Sequence, residues 1–142
     1  MSKPREFDLY APLINGARRD RWFLFRIADG SFGRKPFDLA GSASNGLAVG
    51  LEVKVVNKLP EQWQPFPWNL FSTHQIEWLK LYADQNSYAL MALYDYIIAN
   101  MRIYKLTSSA KIDAAVANIP CLDLIKDRNG SFIGWSDLFG TI

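Results

Sequence analysis

Leu47–Val56 (LAVGLEVKVV) is the longest β-branched run in the chain, and two charged residues, Glu52 and Lys54, interrupt it. Such a run is suited to a central strand. Side chains alternate faces along a strand, so Glu52 and Lys54 share one face with Ala48, Gly50 and Val56. Leu51, Val53 and Val55 take the other face. A carboxylate and an ammonium inside an apolar strand are costly unless paired or put to use. Their small neighbours leave room for something to approach. An ion pair within the strand, or a solvated face, would satisfy the same pattern.

The remaining segments frame this strand. Residues 3–15 are expected to be helical, with Phe7, Leu9, Tyr10, Leu13 and Ile14 at helical spacing and Asn15-Gly16 as the stop. Strands are expected over Arg21–Ala28, Phe37–Ala40, Leu47–Val56, Ser87–Ile98 and Met101–Leu106. Ser72 or Thr73 caps a helix reaching about Gln85, and Ser108–Asn118 is a small Ala-rich helix. Leu122–Ile142 holds a strand, an Asn129-Gly130 turn and another short element. Helix, three strands, helix, two strands and helix in that order predict an α/β fold, a single-domain mixed five-stranded sheet flanked by helices.

A chain of 142 residues, 49% of them apolar, supports one core, and neither repeat nor linker divides 1–142. The single cysteine, Cys121, excludes an intramolecular disulfide and a Cys-rich zinc site. No apolar run approaches the length of a membrane span, and the first residues, Met-Ser-Lys-Pro-Arg-Glu, are not a signal-type apolar stretch. A cytoplasmic protein with no membrane partner is therefore expected. Charge is uneven: residues 1–58 hold ten Lys/Arg against six Asp/Glu. Arg18, Arg19, Arg21, Arg26, Arg34, Lys35 and Lys58 are candidates for phosphate contacts, or else a solvated surface. Trp63, Phe66 and Trp68 are suited to stacking on unpaired bases or to packing a loop. His74, the only histidine, lacks partners for a catalytic triad or a zinc site and is read as a helix-start or DNA contact.

Asp38 lies fourteen residues before Glu52, with the turn cluster Gly41–Gly46 (GSASNG) between them. A hairpin there would bring the two carboxylates together. Converging carboxylates repel unless a cation sits between them, and oxygen ligands without His or Cys favour Mg²⁺, with Mn²⁺ as a substitute. Lys54 would stand beside that cation, orienting a water or neutralising developing charge.

Pro36-Phe37-Asp38…Glu52-Val53-Lys54 resembles the P-D…(D/E)-x-K signature of the PD-(D/E)xK nuclease superfamily, although Phe37 separates the proline from the aspartate. Upstream, Phe25-Arg26…Asp29-Gly30…Gly33-Arg34 is similar to the approach to that aspartate in resolvase-like members. Downstream, the run from Phe66 to Leu79 (FPWNLFSTHQIEWL) resembles the "F-P-L-x-N…H-Q-I" stretch of RecU-type Holliday junction resolvases, and Tyr88–Tyr94 is similar to the strand that follows it.

The resemblance implies a restriction-endonuclease-like core and a Mg²⁺-dependent homodimer that cuts branched DNA, the four-way junction, leaving 5′ phosphates. Asp38 and Glu52 would be metal ligands, with the Val53 backbone carbonyl a third. Lys54 would be catalytic, and Gln75 would lie near the metal. A first-helix acid, Glu6 before Asp8, would complete the site. Arg18, Arg19, Arg26, Arg34, Lys35 and Lys58 would bind DNA. Other nucleases of the superfamily, acting on linear or flap DNA, and a non-catalytic DNA-binding protein of the same fold remain as alternatives. The compact chain also suits a phage-encoded enzyme working in the host cytoplasm.

Overall fold

The computed structural model describes residues 2–28, 35–113 and 119–138. The first helix, α1, spans Glu6–Arg19 and buries Leu9, Tyr10, Leu13, Gly16 and Ala17, a stripe of helical period. Acids at Glu6 and Asp8 in its first turn, and Arg18 and Arg19 in its last, complement the helix dipole. Three antiparallel strands follow, β1 (Phe23–Arg26), β2 (Leu39–Ser42) and β3 (Ala48–Val56). Helix α2 (Thr73–Asp84) then crosses to β4 (Tyr88–Asp95), which pairs parallel to β3. After β5 (Asn100–Leu106) come the short helix α3 (Ala110–Asp113), β6 (Cys121–Lys126) and β7 (Phe132–Ile133), with antiparallel pairing throughout.

Among the described residues the sheet runs β1 to β7 in sequence order, seven strands rather than the five expected. The C-terminal strand and short element anticipated from the sequence form a hairpin that extends the sheet from β5. The central parallel pair is covered on both faces, as parallel strands require. All eight residues of β4 are buried. On one face α1 and Trp135 close over Val49, Leu51, Val53, Leu90 and Ala92; on the other, α2, Phe66 and Phe71 close over Ala89, Met91 and Leu93.

Helix α1 runs on through Gly16, where the sequence pattern suggested a stop. A Cβ on Gly16 would lie 1.6 Å from the Phe132 carbonyl oxygen, so this glycine serves close approach of α1 to β7. The Asp20 carboxylate accepts from the Gly134 and Trp135 N–H groups at 2.9 Å each, and Arg19 pairs with Asp127. The strand expected over Arg21–Ala28 is the shorter β1. The Asp29-Gly30 turn, Gly33 and Arg34 lie outside the described residues, as do residues 114–118 of the expected third helix.

Candidate active site

Cα register pairs Leu39 with Leu51, so one step beyond the β2–β3 ladder Asp38 stands beside Glu52. Both acids are buried, at 6% and 1% exposure. Asp38 leaves the ladder and uses its side chain instead: Oδ2 accepts from the Val53 N–H at 2.9 Å. Its own carbonyl accepts from the Ile27 N–H at 3.1 Å. Within a strand, the N–H and C=O of one residue point to the same edge. The Val53 carbonyl therefore points to the Asp38 side as well.

Two further groups reach Asp38, and a third contact holds the segment before it. Lys35 Nζ lies 3.1 Å from Oδ1. Tyr10 stands near the same carboxylate, and its own ionisation is pushed up by burial and then by the Asp38 charge. The His74 ring nitrogen Nε2 lies 3.2 Å from the Lys35 carbonyl, tying the segment before Asp38 to the start of α2. Tyr10 was not singled out from the sequence. Its signal was there: it stands four residues after Glu6, on the same helical face. Lys35, a candidate DNA contact, is also the ion-pair partner of Asp38.

Glu52 is held from α2. Ser72 Oγ accepts from the Gln75 N–H at 3.1 Å, and Gln75 Oε1 accepts from the Ser72 N–H at 2.9 Å, a reciprocal capping box. With its oxygen committed to the cap, the Gln75 amide must turn its nitrogen inward. Nε2 donates to Glu52 Oε2 at 2.7 Å. The cap thus fixes both the helix start and the aim of the amide.

Lys54 shares the Glu52 face, and its Nζ lies 5.5 Å from the centre of the Phe71 ring. Its charge reaches Glu52 and Glu6. The room expected beside Glu52 at Gly50 is filled by Phe37, whose ring would lie 2.2 Å from a Cβ there. The residue that interrupts the Pro-Asp signature thus packs under the strand, 4.7 Å from the Tyr82 ring.

Burial, and then the Asp38 charge, push the Glu52 carboxyl up to about 8, against the pull of Lys54 and Lys35. Glu6 is raised mainly by burial, with Lys54 opposing and Asp38 reinforcing. Near neutral pH Glu52 therefore holds a proton that a divalent cation would displace. Two carboxylates and the Val53 carbonyl are hard oxygen donors, a set that fits Mg²⁺ or Mn²⁺. Among the described residues no group of three or more His, Cys, Asp or Glu is arranged to hold a metal, so Glu6 neighbours the pair without forming a triad with it.

The basic residues do not converge as the four site residues do. Arg18 and Arg19 sit at the far end of α1, about 18 Å along the axis from Glu6, and Arg19 is paired with Asp127. Arg26 lies over the Phe7 ring at 4.6 Å. Lys58 is exposed beyond the end of β3.

The chain is thus a mixed α/β protein with Asp38, Glu52, Lys54 and Gln75 gathered where β2 and β3 meet the start of α2. No family model matches it, and no curated protein does. Among the described residues no helix is long and apolar enough to cross a membrane.

Proposed function

We propose that the protein is a metal-dependent, structure-selective DNA endonuclease of the PD-(D/E)xK kind, resolving four-way (Holliday) junctions as a homodimer. The observation that carries this reading is the convergence of Asp38 and Glu52 with Lys54 beside them and Gln75 on Glu52. A purely structural ion pair would not need a buried carboxyl held at about 8 beside a second carboxylate.

Asp38, Glu52 and the Val53 carbonyl would hold Mg²⁺, which when bound supplies charge stabilisation at the phosphate and a more acidic water. The chain's own groups do the rest. Lys35 and the Val53 N–H fix the Asp38 carboxylate, and Gln75 fixes that of Glu52. Lys54 places a positive charge where phosphate oxygens gain charge as water adds and the P–O3′ bond breaks. A four-way junction has two-fold symmetry, so paired cuts call for two copies. Edge strand β1 leaves Phe23 and Phe25 exposed, an apolar edge suited to such a contact.

The test is cleavage of an immobile four-way junction beside a linear duplex of the same arms, in Mg²⁺ and in EDTA. Paired nicks in the junction alone, lost in EDTA, in Lys54→Ala and in Asp38→Asn, are expected. Asp38→Asn should still bind the junction. Equal cutting of both substrates would discard junction selectivity, and tight binding without any cutting would discard the nuclease.

A further inference from the structure

Beyond Lys54, β3 runs through Val55 and Val56 into an open groove of about 860 Å³, within the size range of small-molecule and cofactor sites. Lys3 and Lys58 line it, and no Asp or Glu is among its described lining residues. Asn57, Gln64 and Asn69 add side-chain amides, which both donate and accept hydrogen bonds. The three aromatics of the Pro-rich segment behave differently here. Phe66 is buried, its ring 4.8 Å from that of Tyr104, and Trp68 packs on Phe66 at 4.4 Å. Trp63, on the groove wall, is 74% exposed.

An exposed indole offers a broad aromatic face for a ligand to cover, and its surroundings select the cover. Two ammonium groups without a carboxylate favour a polyanion, and amides around an aromatic face suit the edge and face of a base. From Lys54 to Asn57 the strand advances about 10 Å, so the groove lies within a few nucleotides' reach of Lys54. We propose that the groove holds an unpaired nucleobase stacked on Trp63, with Lys58 and Lys3 on the flanking phosphates. This rests on the nucleic-acid reading above and adds the feature of the substrate that is recognised: an unstacked base a few nucleotides from the scissile phosphate.

The test is done in EDTA, so that cleavage plays no part. A short single-stranded oligonucleotide carrying 2-aminopurine is titrated with wild type, Trp63→Ala, Trp63→Phe and Lys58→Ala, beside the fully paired duplex. Trp63 is exposed, so these variants are expected to fold. Wild type should quench the 2-aminopurine. Trp63→Ala should lose the quench and weaken single-strand binding by about 5- to 100-fold, the range for one base–aromatic stack, leaving duplex binding unchanged. Trp63→Phe should retain most of both, and Lys58→Ala should lower the salt slope by about one. Equal affinity and quench in wild type and Trp63→Ala, equal losses on the duplex, or no binding by wild type would overturn the proposal. The two readings separate: Trp63-dependent binding by a protein that never cuts in Mg²⁺ keeps the groove and removes the nuclease. Cutting by wild type with a silent Trp63→Ala does the reverse.

Discussion

Replacing Glu52 with glutamine should change how stability depends on pH in a way no surface substitution would. The folded carboxyl is raised from 4.5 to about 8 by burial and by Asp38. Between those values the folded chain binds more protons than the unfolded one, so stability falls as pH rises through the window. At about 1.4 kcal/mol per unit the shift corresponds to a ceiling of about 5 kcal/mol, present in full below the lower value and gone above the upper one. Glu52→Gln keeps the shape and still offers Gln75 a carbonyl oxygen, but it cannot ionise. Urea unfolding in EDTA, stepped from pH 5 to pH 9, measures the difference. The wild-type midpoint should fall steadily, and the variant should gain several kcal/mol on it by pH 9 with an unchanged m-value. Glu6, also raised, contributes the same slope to both proteins, so the difference between the curves belongs to Glu52. At pH 8.5 Mg²⁺ should raise the wild-type midpoint and leave the variant where it was. Parallel curves would refute the burial argument, and equal stabilisation by Mg²⁺ would refute the cation site.

Three other outcomes follow from the geometry. Gly16→Ala would gain about 1 kcal/mol of helix propensity, but its Cβ meets backbone at 1.6 Å; the clash wins, and a net loss of about 3 kcal/mol, a drop of about 10 °C in Tm, is expected by calorimetry. Gly50→Ala would push on the Phe37 ring at 2.2 Å, so urea unfolding should show a loss of about 1–3 kcal/mol and junction cleavage should fall with it, because Phe37 adjoins Asp38. Gln75→Ala removes half of the capping box and the donor that favours ionised Glu52, so about 1 kcal/mol should be lost and the pH at which Mg²⁺ raises Tm should move upward.

Much of the framework was legible because it is local. Period-2 alternation around Glu52 and Lys54 identified β3 within one residue, and Ser72 or Thr73 as a cap marked the start of α2. Asp38, Glu52, Lys54 and Gln75 do come together, although Gln75 was singled out by the resemblance and not by local pattern. What failed were readings in which one residue type has two uses. Gly16 looked like a helix stop and is a point of close approach. Gly50 looked like space for a ligand and is space for Phe37. In each case the deciding neighbour is far in sequence or on another element.

The sequence by itself determined the order of the main strands and helices, which face of β3 carries charge, and where α2 is capped. Those follow from side-chain alternation and capping, which act over a few residues. Only the tertiary structure decided that the C-terminal hairpin extends the sheet to seven strands, that Tyr10 reaches Asp38, and that Trp63 stays exposed while Phe66 is buried. The elevation of the Glu52 carboxyl belongs to the same group, since desolvation is set by everything packed around a charge and by no residue alone.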